Sequence, residues 1–288
     1  MPRLRPTALL LDMDGVLYHG DSPLPGAGEL LRRIARLPHA FVTNNPIRTP
    51  GQVAQALAAM GLPRPEPELI LTSAIATARW LARARPGFRY YAVGAGGLDA
   101  ALRELGQPDP ESADVVVVGE GAGLDYESLT VGINLILGRG ARLVCTNPDT
   151  TVDGTLGGRR VVLPGGGALV APFAAAAGVT PTVIGKPEPL LYEMALERLG
   201  CPAGRCLMVG DRPDTDIAGA VRVGMWTALV RTGRFPPGHP WDCGLPRPDF
   251  DAADLPDLMA RLDLAFPGWL APDAGRAGPG ARAAAGQR

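Results

Sequence analysis

Lysine is nearly absent from the 288 residues: Lys186 is the only one, and arginine supplies the rest of the 28 Lys and Arg side chains. Cysteine is scarce as well. Cys145, Cys201, Cys206 and Cys243 include no CxxC pair, and the step from Cys201 to Cys206 fits no common zinc spacing. That leaves reduced, structural thiols in a cytoplasmic protein as the reading. The histidines, His19, His39 and His239, lie far apart in the chain. A formal net charge of −1 gives no basic footprint for nucleic acid. No apolar run nears the ~20 residues of a membrane span, and the first, ALLL, stops at Asp12, too short for a secretory core. Neither nucleic acid nor membrane is therefore expected as a partner.

Two accounts of the lone lysine stand side by side. Nucleotide bias favouring arginine, alanine and proline leaves one lysine by chance. Alternatively, the position demands a compact ammonium on a thin stem, where a broad, forked guanidinium does not fit. A tight pocket holding phosphate beside other charges has that demand, so the remainder of such a pocket must be sought.

What is present is a regular alternation of short apolar runs and helical patterns. Strands are expected at 7–12, 39–43, 69–72, 88–94, 114–119, 141–146, 181–185, 206–211 and 226–230. Helices are expected at 26–36, 51–60, 73–84, 97–105, 126–138, 168–177, 188–199, 214–223 and 254–262. Runs such as VVVV and LLL lack polar alternation and suit parallel strands buried on both faces. The fold class expected is α/β, doubly wound and mostly parallel, with right-handed crossovers. The small, polar, Gly/Ala-rich stretch 271–288 reads as a disordered tail.

In open α/β sheets ligands bind beyond the carboxyl ends of the strands, and four strands end in reactive side chains. LLLDMDG ends in Asp12 and Asp14, AFVTNN in Thr43, Asn44 and Asn45, TVIGKP in Gly185 and Lys186, and LMVGDRPDTD in Asp211, Asp214 and Asp216. The middle strands, YYAVG and VVVVG, end in glycine. This splits the chain into a catalytic core, 1–76 with 183–270, and an inserted cap, 77–182. Each motif has a plainer explanation. DMDG suits a hairpin turn, Thr43 a helix cap, and GDRPDTD a solvated turn capped by Asp214 or Thr215. Four of them in order, each after a buried strand, are harder to explain that way.

The ordered set resembles the haloacid dehalogenase superfamily of phosphatases, whose signature runs DxDG, then a Ser or Thr after a strand, then Lys, then GDxxxD-type acids. LDMDGVLYHG, TNNPIRTP, TNPDTT, PGGGALV, IGKPEP and GDRPDTDIAGA look like its type IIA-capped branch, over residues 7 to 262. That branch acts on nitrophenyl phosphate, phosphoglycolate, nucleotides and sugar phosphates. The resemblance implies a magnesium-dependent hydrolase of small phosphomonoesters. Asp12 is then the nucleophile that becomes an aspartyl-phosphate. Asp14 protonates the leaving oxygen and later activates water. Gly15 turns the chain and brings backbone N–H groups to the phosphate. Thr43 donates its hydroxyl to the phosphoryl group, with the Asn44 N–H beside it. Mg2+ is held by Asp12, the Asp14 carbonyl and Asp211, and Asp216 holds a metal-bound water or orients Lys186.

The charges give Lys186 its task. A carboxylate meeting a phosphate dianion at ~4 Å is repelled by about 8 kcal/mol at an effective dielectric of ~20. A divalent cation and a lysine reverse that field. Pro46 and Pro213 depart from the family's usual residues without removing a catalytic group. Within the cap, TNPDTT and the loop 153–167 are the candidates for substrate contact, with Arg159 and Arg160 meeting an anionic substrate group, against a solvated loop as the plain alternative. GGGALVAPF reads as a close packing turn, against a helix N-terminus near an anion as the alternative. VVVVGEGAGL looks weakly like a dinucleotide fingerprint, but Leu124 breaks GxGxxG and no ribose acid follows at the usual spacing. Capped relatives often pair, so a homodimer through the cap is a further expectation. The rival readings are a phosphomutase and a phosphate-accepting signalling switch.

Overall fold

Leu9 and Leu11 point to one side of the first strand, Ala8 and Leu10 to the other, and all four are fully buried. A strand apolar on both faces must lie inside a sheet covered on both sides. The computed structural model, which describes residues 3–270, places it there. The residues expected to form a disordered tail, 271–288, lie outside the described residues.

The first sheet has six parallel strands in the order Phe250–Ala252, Trp226–Val230, Cys206–Gly210, Ala8–Leu11, His39–Thr43 and Ile70–Thr72. Leu9, Leu11, Phe41, Leu207 and Val209 pack with helices Ala27–Ile34, Pro50–Ala59 and Leu255–Ala265. Leu10, Val42 and Met208 pack on the opposite face with helices Ser73–Ala84 and Pro189–Leu199. Thr49 starts the helix Pro50–Ala59 through a reciprocal capping box with Gln52, with Pro50 in the first turn.

The second sheet has five parallel strands in the order Thr182–Val183, Arg142–Cys145, Val115–Val118, Arg89–Val93 and Gln107–Pro108. Phe88, Tyr90, Val115 and Val117 belong to the same continuous apolar cluster as Leu10 and Met208, so one core joins the sheets. On the outer face Val116, Val118 and Phe173 pack with helices Tyr126–Arg139 and Gly166–Ala177. All nine expected strands are present, shorter by a residue or more where their ends were extended. The expected helix at 214–223 begins instead as a π-helical turn, Pro213–Ile217, that continues into Ala218–Arg222.

Two hairpins escape the sequence patterns. Tyr18–His19 pairs with Ser22–Pro23, and Thr151–Leu156 pairs with Arg159–Pro164. The second was expected to be a loop. Neither of its strands buries a continuous apolar face, so no hydrophobic alternation announces it.

Packing between the outer helices turns on Gly132. A Cβ there would lie 2.4 Å from the Phe173 ring, whereas one at the exposed Gly138 of the same helix would meet nothing within 4 Å. Opposite signs are therefore expected in thermal denaturation. Gly132→Ala should destabilise by about 1–3 kcal/mol through overpacking, and Gly138→Ala should stabilise by about 0.5–1 kcal/mol through helix propensity. A stabilising Gly132→Ala would contradict the tight contact.

Candidate active site

Register brings three of the four motifs together, whereas Lys186 follows Thr182–Val183 of the second sheet and reaches the same edge from there. Leu11 pairs with Val209 and Phe41, so the residues after each strand emerge along one edge of the first sheet. The order of the strands reverses on either side of Ala8–Leu11, and a crevice opens at such a switch point. The Asp12 N–H donates to the Val209 carbonyl at 2.8 Å, which fixes the first carboxylate beside the strand that carries Asp211.

Lys186 lies at the centre, 3% exposed. Its Nζ is 2.7 Å from Asp12 Oδ1 and 2.6 Å from Asp216 Oδ1. Burial opposes the ammonium charge, but Asp12 and Asp216 overcome it and hold Lys186 above the usual lysine range. The second oxygen of Asp216, Oδ2, accepts from the N–H groups of Asp211 and Arg212 at 3.1 and 3.0 Å. Asp216 is thus engaged on both oxygens and fully buried. A Cβ at Gly210 would come within 2.2 Å of Asp216, so that strand end accommodates no side chain.

Asp211 is less completely compensated. Its Oδ2 accepts from the Arg234 N–H at 3.0 Å. Burial, then the charges of Asp216 and Asp12, push its carboxyl well above the usual range. Burial pushes Asp12 up to about 7 against the pull of Lys186. Oxygens of Asp12, Asp211 and Asp216 all lie within 4.8 Å of one another. Three buried carboxylates around one ammonium make an anionic, all-oxygen donor set that fits a hard divalent cation. Gly15 has φ +78°, and a Cβ there would lie 2.5 Å from Asp211 Oδ2. The turn after Asp14 therefore depends on glycine twice, for its backbone and for the approach of Asp211.

Thr43 is buried at the cavity wall, and its Oγ1 accepts the Asn45 N–H at 3.2 Å, leaving the hydroxyl proton free to donate. It caps no helix, contrary to the plainer explanation; nor does Asp214 or Thr215, since Asp214 pairs with Arg212 and no side chain caps that turn. Asp14 is at the mouth, its side chain 56% exposed and 3.6 Å from His19 Nδ1. Burial on the cavity side raises its carboxyl, and His19 opposes the rise.

Asn44 holds Lys186 by its backbone, accepting its N–H on Oδ1 at 2.8 Å and donating to its carbonyl at 3.0 Å. The same amide donates to Asp149 Oδ2 at 2.9 Å, on the loop after Arg142–Cys145 of the second sheet. Two arginines also bridge the sheets' loops. Arg212 reaches Asp149 at 2.6 Å, and Arg234 clasps Asp153 at 2.8 and 3.0 Å while donating to the Thr151 carbonyl. The resulting cavity of about 120 Å³ is lined from below by Asp12, Asp14, Thr43, Lys186 and Asp211, and from above by Glu120, Asp149 and Asp153. Asp149 lies within TNPDTT, a stretch expected to meet substrate, whereas Glu120, Arg212 and Arg234 were not singled out in the sequence. Arg160 lines a neighbouring cavity with His19 and Asp153, whereas Arg159 lines neither. GGGALVAPF is not a turn but the start of the helix Gly166–Ala177, whose N-cap Gly165 is packed closely, a Cβ there lying 2.2 Å from the Asp149 carbonyl oxygen.

Two family models match the chain: haloacid dehalogenase-like hydrolase over residues 9–107 and HAD-hydrolase-like over 183–258. An acid sugar phosphatase of Staphylococcus aureus is 36% identical over 260 residues, 89% of this chain and 98% of that protein. The chain belongs to the haloacid dehalogenase-like hydrolases, in their type IIA phosphatase branch. The structure of a thermostable NPPase double mutant from Geobacillus stearothermophilus superposes with a TM-score of 0.79 at 35% identity, covering 88% of this chain and 98% of that one. NagD from E. coli K-12 gives 0.77 at 30% identity, covering 88% and 98%. No helix among the described residues is long and apolar enough to cross a membrane.

The raised carboxyls set the response of metal-free protein to pH. Asp12 and Asp211, with Glu120, bind protons more tightly folded than unfolded, so stability grows as pH falls between about 7 and 4. Lys186 stays charged across that window, and the lowered carboxyls of Asp153 and Asp214 cost stability only below it. Urea midpoints in a chelator are expected to be higher near about pH 5.5 than near about pH 8. A midpoint that climbs over the same interval would contradict the uncompensated charge.

Proposed function

We propose that the chain hydrolyses small phosphomonoesters, with magnesium, through a phosphoryl group carried transiently on Asp12. The observation that carries this reading is the direct contact of Lys186 with Asp12 and Asp216, with Asp211 alongside. Asp12, the Asp14 backbone carbonyl and Asp211 would hold Mg2+, which supplies positive charge to the phosphoryl oxygens. Asp216, engaged on both oxygens, positions Lys186 and the Asp211 backbone.

An Asp12 oxygen attacks phosphorus while the ester P–O bond breaks, and Asp14 gives its proton to the leaving oxygen. Its raised carboxyl favours the protonated form this step needs. Asp14 then takes a proton from water as that water attacks phosphorus, which releases inorganic phosphate and restores Asp12. Thr43 donates its free hydroxyl proton to a phosphoryl oxygen. Lys186 faces the nucleophile throughout and offsets the repulsion between carboxylate and dianion. The free cysteines among the described residues agree with a reducing, cytoplasmic setting.

Nitrophenyl phosphate turnover with and without Mg2+ tests the reading. Asp12→Asn should abolish turnover with the thermal transition retained. Lys186→Arg should lose at least about 10²-fold in kcat, close to Lys186→Ala, because the forked group does not fit between Asp12 and Asp216. Metal-dependent turnover surviving in Asp12→Asn would reject the nucleophile. Free phosphate as the product excludes a mutase, and its release over many cycles excludes a long-lived phosphoprotein switch.

A further inference from the structure

Glu120 follows the central strand of the second sheet and is 2% exposed. Its Oε1 accepts from Asn147 Nδ2 at 2.8 Å. Among the described residues no donor is bonded to Oε2, and that oxygen is not fully buried but opens on the cavity that Asp12 and Lys186 also line. A carboxylate so little exposed to solvent, with one oxygen facing only the cavity, gains from a hydrogen-bond donor that enters it.

Among the described residues the cavity wall holds no spare cation. Every cation on the cavity wall is already engaged: Lys186 with Asp12 and Asp216, Arg212 with Asp149 and Asp214, Arg234 with Asp153. His19 sits beside Asp14. Asn147 Nδ2 also donates to the Asn44 carbonyl at 2.9 Å. Because Asn44 grips the Lys186 backbone, two amides fix Glu120 relative to the catalytic lysine. The phosphoryl group belongs at Asp12 and Lys186, so what meets Glu120 from within the cavity is the rest of the ester. Burial pushes Glu120 up to about 7, in keeping with a charge that lacks a counterpart.

We infer that Glu120 reads the substrate's leaving group, its free oxygen accepting a hydrogen bond from a hydroxyl or ammonium donor. The inference rests on the phosphatase reading and deepens it. It selects phosphomonoesters with donor-bearing organic parts and rejects those with a second carboxylate, which would meet Glu120 with no free cation nearby.

The test measures kcat/KM for glycerol phosphate, phosphoethanolamine, phosphoglycolate and nitrophenyl phosphate in wild type, Glu120→Gln and Glu120→Leu, with thermal transitions alongside. In wild type the two donor-bearing esters should be preferred to phosphoglycolate. Glu120→Leu should lower their kcat/KM relative to nitrophenyl phosphate by about 10-fold or more, mainly through KM, the expected size for a hydrogen bond to a charged group. Glu120→Gln should weaken phosphoethanolamine more than glycerol phosphate, since it keeps an acceptor and loses the charge. Phosphoglycolate should gain relative rate in both variants. If all four substrates fall together in a folded Glu120→Leu, the residue merely supports Asn147 and the inference is wrong. If Glu120→Leu does not fold, an unchanged phosphoethanolamine ratio in Glu120→Gln overturns it. A wild-type preference for phosphoglycolate overturns it as well. Wild type that releases phosphate from none of the four fails the phosphatase reading itself, a distinct result that removes both.

Discussion

One ammonium group between buried carboxylates governs this molecule. Asp12, Asp211 and Asp216 converge within a few ångströms, and Lys186 neutralises only part of their charge. Ion pairs removed from water gain from close geometry and lose from desolvation, so such a cluster persists only where hydrogen bonds complete it. The Asp216 carboxylate is completed by two backbone N–H groups and the lysine. Asp12 and Asp211 remain short of positive charge. That deficit suits a divalent cation, and under the proposed reaction such a cation together with Lys186 would make room for a dianionic phosphoryl group. Here structural strain and catalytic capacity arise from the same electrostatic imbalance.

The second sheet extends this economy of charge over the top of the cavity. Its loops contribute acids, Glu120, Asp149 and Asp153, and arginines from loops of the first sheet meet the last two. Arg234 is central to the join. Its guanidinium holds Asp153, its N–H holds Asp211, and Gly233 before it permits an approach that any Cβ would block at 1.9 Å. Contacts across the cavity are thereby tied mechanically to the orientation of the Asp211 carboxylate. The Arg234–Asp153 pair is half exposed and individually weak, whereas the Arg212–Asp149 pair is largely buried.

Much of this was legible in the chain, for physical reasons. Parallel strands buried on both faces write themselves as uninterrupted apolar runs, and LLLDMDG and LMVGDRPDTD announce both the strand and the acids that end it. Lys186 stood out because arginine replaces lysine everywhere else. That same abundance concealed Arg212 and Arg234, which carry no local mark that separates them from other arginines. Their partners Asp149 and Asp153 lie 63 and 81 residues away. Glu120 was hidden inside GEGAGL, where the glycines drew the reading towards a nucleotide loop. Only the position of that loop opposite the first sheet reveals its carboxyl as a cavity wall. The hairpin Thr151–Pro164 was missed because its strands lie over the site instead of inside a core, so burial leaves no periodic trace in its sequence.

Isothermal titration of the metal-free protein with Mg2+ at about pH 7, in buffers of different ionisation enthalpy, tests the central claim most directly. Carboxyls held protonated for want of positive charge must give up protons when the cation binds, so release of on the order of one proton per ion is expected. Binding with no proton release would mean that Asp12 and Asp211 are already ionised and balanced, and would contradict the account.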